Sequence, residues 1–384
     1  MAKSEKTEGK IIGQEITVGP KQMVELLKVM VRDDVQIPCM LWGQPGIGKS
    51  DVCAQVAREE GRPFRDIRLL LLEPTDLRGI PYKNKDDEMV WAPAAMFPHD
   101  PNDRSIILLD EINAAPPSVQ AAALQLVLNR RIGDYVLPKG VAIIAAGNRE
   151  SDRTSVNRMP SALANRFNHF NMVAVFEDWR EWAFGKGIHP DIVGFLSAFE
   201  KYLNTFDPAL NAKAFATPRT WTYANKILNT DLPDHLKYIA IGGAVGDGVA
   251  GEFRRHRKFS LHLPKPDDIL KGTVTKMPAE CKAQVSMQYA MAVSLAYKLN
   301  TYYDLYKKTK NNLVEEKSGL TDKEWKKLAA NFALFISNKE NLDAEIAVMT
   351  LTTAYTVFNI PLVPKEVPEL REFFSKYKDY FNSN

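Results

Sequence analysis

The sequence predicts an α/β domain built on a parallel sheet, followed by a longer, wholly helical region. Up to about Phe176, short apolar runs of strand length alternate with helix-like stretches, as in a parallel sheet covered on both faces. After about Trp179 strand-like runs become scarce and amphipathic helical patterns take over. The 384 residues leave room for two or three domains.

The elements follow in order. Residues 1–10 (MAKSEKTEGK) read as a flexible, solvated tail. Cys39–Trp42 is strand-like and ends in a Gly-rich loop; Ser50–Glu60 has a helical pattern stopped by Gly61. Phe64–Leu72 reads as a strand, Ile106–Leu109 as a short buried strand, and Val141–Ala146 as another. Between the last two, Val119–Asn129 places Val119, Ala122, Ala123, Leu126 and Val127 on one helical face. Asn129–Lys139 reads as a hairpin with Gly133 and Asp134 at its turn. Further on, Pro190–Tyr202, Thr220–Leu228 and His235–Val245 read as helices. A polar, Lys-rich passage at Asp267–Lys276 is a candidate boundary. Ala279–Tyr306, Asp322–Ser337, Ala344–Phe358 and Glu366–Phe381 read as further helices.

Composition bounds the function classes. With 45% apolar and 25% charged residues the chain is ordinary globular material. A net charge of +3 makes no demand for nucleic acid or an acidic membrane surface. Three scattered cysteines are too few for a disulfide framework or a zinc site, and Cys39 lies in an apolar run suited to a core. No apolar run is long enough to span a bilayer, and Met1–Lys10 lacks the apolar stretch of a signal peptide. A cytoplasmic location without membrane insertion is the expectation.

The loop Gly43-Gln44-Pro45-Gly46-Ile47-Gly48-Lys49-Ser50 matches G-x-x-x-x-G-K-[ST] in full, between an apolar strand and a helix. Glycines let backbone N–H groups wrap a phosphate, and the helix that follows, through Asp51, offers its positive end to the same anion. Lys49 adds a mobile charge for β- and γ-phosphates, and Ser50 a hydroxyl for Mg²⁺. A buried strand then delivers Asp110 and Glu111 to its carboxyl end, the first suited to holding Mg²⁺ and the second to polarising water. Asn148 ends a neighbouring strand, where it can meet the γ-phosphate or the attacking water; taken alone it reads as a turn residue. ATP and Mg²⁺ are the expected cofactors, although no residue visibly reads the base.

These elements in this order resemble the AAA+ ATPases, most closely the MoxR-like, dynein-related branch. The carrying segments are LWGQPGIGKS (41–50), EPTDLRGIP (73–81), ILLDEINAAPPSVQAAALQLV (107–127), IIAAGN (143–148), PSALANRF (160–167) and TPRTW (217–221). The resemblance covers roughly residues 11–255 and implies a P-loop core at 11–185 and a helical lid at 186–275; the C-terminal helical region at 276–384 matches no feature of the family. It implies that Asn148 is the first sensor, that Arg166 is an arginine finger reaching a neighbouring subunit, and that Arg219 is the second sensor. Arg149, Arg153 and Arg158 are rivals for the finger. The hairpin at 129–139 matches one that the branch inserts. Asp76–Ala95 matches a second, pore-facing insertion in which Tyr82 or Trp91 could grip a substrate, although core packing is the simpler reading of Trp91. A homo-oligomeric ring, a hexamer, would act on a protein client, with a separate von Willebrand-type partner.

Two other functions compete. The run Arg254-Arg255-His256-Arg257-Lys258 would suit a nucleic-acid motor or loader, although a solvated helix end explains it more simply. A P-loop kinase for a small metabolite would need neither a ring nor Arg166 and Arg219.

Overall fold

In a computed structural model of the chain, residues 17–152, 159–311, 313 and 319–378 are described. They form two compact units: residues up to Val175 together with Asp207–Asn211, and Phe176–Phe206 together with the chain from Ala212 onward.

The first unit is built on a six-stranded sheet. Its strands are β1 (Thr17–Val18), β2 (Cys39–Trp42), β3 (Phe64–Arg68), β6 (Ile106–Asp110), β9 (Ala142–Gly147) and β10 (Asn168–Met172). They lie in the order β1-β10-β2-β9-β6-β3, every pair parallel. Side chains alternate between the two faces. Cys39, Leu41, Ile106, Leu108 and Ile144 pack with Met23, Val24 and Leu27 of α1 (Pro20–Met30) and with Val52, Cys53 and Val56 of α2 (Lys49–Glu59). On the other face, Met40, Ile107, Leu109, Ile143 and Ala145 pack with Leu77 of α3 (Pro74–Arg78) and with Val119, Ala122 and Leu126 of α4 (Pro117–Asn129). Each such Leu, Ile, Val or Met side chain contributes about 1.5–3 kcal/mol by leaving water. The expected α/β fold with a helix-covered parallel sheet is therefore present, and Cys39 is a core residue.

Some elements differ from their sequence reading. The strand expected over 64–72 stops at Arg68; Leu69–Leu71 turn into a 3₁₀ helix in which only Leu69 is buried. Two antiparallel hairpins extend from the unit: β4 (Ile80–Lys83) with β5 (Met89–Ala92), and β7 (Arg131–Ile132) with β8 (Tyr135–Val136). The latter turns through Gly133 and Asp134 as expected, with Gly133 at φ +56°. Trp91 is not a core residue. It lies half-buried in β5, its backbone N–H donating to the Asp134 carboxylate at 3.2 Å and its ring against Gly133.

The second unit contains α6 (Phe176–Gly185), α7 (Pro190–Ala198), α8 (Pro218–Leu228), α9 (Asp234–Val245), α10 (Asp247–Ser260), α11 (Pro266–Leu270), α12 (Ala279–Lys282), α13 (Val285–Lys310), α14 (Asp322–Ser337), α15 (Ala344–Thr352) and α16 (Arg371–Lys376). Three sequence-read helices are interrupted: 279–306 at residues 283–284, 344–358 by a π-helical turn at Thr353–Val357, and 366–381 by a 3₁₀ turn at Pro368–Leu370. The division expected at 275/276 is absent, because helices from both sides share one core. α7 packs along α13, and at the crossing a Cβ on Gly194 would lie only 3.0 Å from the Ala290 Cα. The candidate boundary at 267–276 also falls inside this unit, and Ile269 and Leu270 are buried in the C-terminal core. The boundary read at 185/186 likewise falls inside this unit, which begins at Phe176. The reading of residues 1–10 as a tail lies outside the described residues.

His189 caps α7, its Nδ1 accepting the Asp191 N–H at 3.2 Å. Burial holds its pKa below the ordinary value, against the pull of Asp191, and burial does the same for His256. In the fold both therefore favour the neutral form more than they do in the unfolded chain. Their contribution to stability is complete above the ordinary histidine pKa of about 6.5 and declines as pH falls below it towards the lowered folded values. The melting temperature should accordingly fall between about pH 7.5 and about pH 5.5. His189→Asn, which keeps an acceptor at the cap but does not titrate, should show a shallower fall in scanning calorimetry.

Candidate functional site

The parallel register brings three strand ends together. β2 lies between β10 and β9, and β9 lies next to β6. The carboxyl ends of β2, β6 and β9 therefore deliver Gly43, Asp110 and Asn148 to one edge of the sheet, at a point where strands from distant parts of the chain flank β2.

The loop that leaves β2 is tightly constrained. A Cβ on Gly43 would lie 2.5 Å from the Ile47 Cδ1 and 2.7 Å from the Met172 carbonyl oxygen, so only glycine fits there. Gly48 caps α2 at φ +98°, a conformation that L side chains rarely adopt. Ile47 is buried, whereas Gln44, Pro45 and Gly46 are half-buried around the loop. Lys49, Ser50 and Asp51 form the first turn of α2, whose leading N–H groups have no acceptor within the helix. Asp51 itself is exposed.

Side-chain contacts tie the loop to the other two strand ends. The Lys49 Nζ donates to the carbonyl oxygens of Gly43 at 2.7 Å and Gln44 at 3.0 Å, and to the Asn148 Oδ1 at 3.0 Å. The Ser50 hydroxyl donates to the Asp110 Oδ2 at 2.9 Å. The other oxygen of Asp110 accepts the Glu111 N–H at 2.9 Å. Glu111 has φ +56°, in the left-handed region, which costs a non-glycine residue about 1–2 kcal/mol. Its carboxylate makes no hydrogen bond or ion pair among the described residues. A hydroxyl beside a carboxylate is a hard-oxygen pair suited to Mg²⁺, and an ammonium beside open helix N–H groups is suited to phosphate.

The two arginines carried over from the family pattern are placed in a similar way. In PSALANRF, Leu163 and Phe167 are buried and Asn165 is the C-cap of α5 (Ser161–Ala164), while Arg166 is exposed. In TPRTW, Thr217 and Thr220 form a reciprocal cap of α8, Pro218 opens the helix and Trp221 is buried, donating to the Tyr202 carbonyl at 2.8 Å. Arg219 is exposed. Neither arginine side chain has a hydrogen-bond or ion-pair partner among the described residues. Arg166 belongs to the first unit and Arg219 to the second. Arg153 and Arg158 lie outside the described residues, and Arg149 is half-buried, directly after Asn148.

The sequence reading missed one contributor, Asn113. Its Nδ2 donates to the Asn148 backbone carbonyl at 2.7 Å, bracing that residue, while its Oδ1 is buried with no partner among the described residues. The fit depends on Gly147, where a Cβ would lie 2.3 Å from that Oδ1. An asparagine three residues after Asp110 carries no periodic signal that would have revealed this.

The fold and site define a phosphate-loop nucleotide-binding α/β domain. Residues 39–175 match the family described as "ATPase family associated with various cellular activities (AAA)". A curated relative, Protein MoxR of Methylorubrum extorquens, is 27% identical over 155 residues, which make up 39% of this chain and 44% of the relative. The match thus spans less than half the length of that relative. Over residues 39–175 the chain is thus similar to AAA ATPase domains, and part of it is similar to a MoxR protein. Similar solved structures include a Cytophaga hutchinsonii protein provisionally described as an ATPase (16% identity, TM-score 0.34, 89% of this chain and 82% of that one). NtrX of Brucella abortus in complex with ADP is another (15% identity, TM-score 0.38, 77% and 68%). At such scores these are loose likenesses only.

Gly147→Ala should push Asn113 aside and lower stability by about 1–3 kcal/mol in urea unfolding. In an Asn113→Ala background the same substitution should cost distinctly less, a coupling that a double-mutant cycle measures.

Proposed function

We propose that this chain hydrolyses ATP with Mg²⁺ in an oligomeric ring, a hexamer, and uses the energy to remodel or activate a partner protein. The observation that carries the reading is the convergence of Lys49, Ser50, Asp110, Glu111 and Asn148 at three neighbouring strand ends.

The residues divide the work. The 43–50 loop and the first turn of α2, through Asp51, cradle the phosphates with backbone N–H groups, and Lys49 exchanges one of its oxygen partners for a phosphate oxygen. Ser50 and Asp110 would hold Mg²⁺, which when bound neutralises charge on the β- and γ-phosphate oxygens. Glu111, its carboxylate without a partner among the described residues, polarises the attacking water and takes its proton. Asn148, held by Asn113, donates to the γ-phosphate or the water through its amide. Arg166 supplies its guanidinium to a neighbouring subunit's site, and Arg219 is the second sensor by the family resemblance. That both arginines are exposed while the residues around them are committed to caps and core supports this assignment.

The client is expected to be a protein, together with a separate von Willebrand-type partner, as in the MoxR-like branch. A cytoplasmic location fits three free, buried cysteines, with burial raising the Cys39 thiol to about 12. Among the described residues no helix is long and apolar enough to cross a membrane. The nucleic-acid reading loses its main support. Arg255 pairs with Glu252, Arg257 pairs with Asp191 at 2.6 Å and also meets Asp234 and Tyr238, His256 is buried, and Arg254 lies over the Tyr238 ring. No observation favours the small-molecule kinase.

Glu111→Gln should bind ATP but turn it over at least about a hundredfold more slowly, as a phosphate-release assay would show; unchanged turnover would make Glu111 structural. Lys49→Ala and Arg166→Ala, each inactive alone, should recover activity when mixed. An active monomer would remove the ring.

A further inference from the structure

One contact in the first unit plays no part in the scheme above. β10 and β2 are in parallel register with His169 opposite Met40. Alternation then places Met40, Trp42 and His169 on the same face of the sheet. The Trp42 Nε1 donates to the His169 Nδ1 at 2.8 Å, and the two rings lie within 9° of parallel with centroids 6.0 Å apart. An indole N–H can only donate, so the His169 Nδ1 must accept and the proton must sit on Nε2. That Nε2 lies 2.8 Å from the Ala164 carbonyl oxygen, to which it donates. The same oxygen accepts the Phe167 N–H at 3.1 Å. Ala164 ends α5 and stands two residues before Arg166, while Trp42 is the residue immediately before Gly43. One imidazole therefore spans from the strand that launches the phosphate loop to the turn that carries Arg166.

We infer that His169 is a positioning residue: through Trp42 and Ala164 it holds the Arg166 turn in register with the subunit's own phosphate-loop strand, and so sets how that arginine is presented to the neighbouring site. This rests on the reading of Arg166 as acting in a neighbouring subunit. Because His169 is exposed, its two hydrogen bonds add little to stability, and their effect is on orientation.

The test separates giving an arginine from using one. A Lys49→Ala subunit can only give Arg166, and an Arg166→Ala subunit can only hydrolyse. His169→Phe keeps an aromatic ring and removes both hydrogen bonds. Placed in the giving subunit (Lys49→Ala/His169→Phe), it should cut the turnover restored in mixed rings by about fivefold, the effect of losing one ordinary hydrogen bond. Placed in the hydrolysing subunit (Arg166→Ala/His169→Phe), it should leave restored turnover near that of the parent pair. Sedimentation of each mixture checks that rings still assemble. If the giving subunit with His169→Phe fails to assemble, Trp42→Phe in that same subunit removes the donor from the other end of the relay, and the same outcomes apply. Equal loss in both roles, or no loss in either, overturns the positioning role. If the parent Lys49→Ala and Arg166→Ala pair restores nothing, the shared-site reading falls and takes this inference with it.

Discussion

The site depends on the burial of β2 between two parallel neighbours. Its interior residues Cys39, Met40 and Leu41 are inaccessible to solvent, as are those of β6 and much of β9. Such strands have no room for polar side chains along their length, so polar chemistry is confined to their ends. Parallel pairing then places all these ends on the same side. Asp110, Asn148 and Gly43 meet there because the hydrophobic core leaves them nowhere else to emerge. Gly43 completes the arrangement, since its missing side chain lets the loop turn against the Met172 carbonyl instead of swinging away from the sheet.

The first unit was largely legible in the sequence, because its signals are local. The loop at 43–50 follows a fixed spacing, and the apolar runs at 39–42, 106–109 and 141–146 have the length and continuity of buried strands. Leu69–Leu71 misled because an apolar run does not distinguish a strand from a 3₁₀ turn at the sheet's edge. Asn113, Gly147 and the Trp42–His169 pair were not legible. Each depends on a partner far away in sequence, and no periodicity records a contact of that kind.

The second unit was legible as helices but not as a unit. Helical patterns report which face is apolar, not which helix will cover it. Gly194 was unremarkable in the sequence, yet it allows α7 and α13 to approach closely and so joins stretches that composition had assigned to different domains. Within TPRTW and PSALANRF the reverse held. Once caps and core residues are assigned to Thr217, Thr220, Trp221, Leu163, Asn165 and Phe167, each segment retains an arginine whose side chain has no partner among the described residues.

On the role proposed for Glu111, its left-handed backbone sets folding and chemistry against each other at a single position. Selected for stability alone, a library randomised there would enrich glycine and asparagine, which accept that conformation with less strain. Selected for turnover, the same library would enrich glutamate. Few positions in a small domain would rank their residues in such opposite orders, and the size of that disagreement would measure how much stability the chain forgoes to keep a carboxylate at the end of β6.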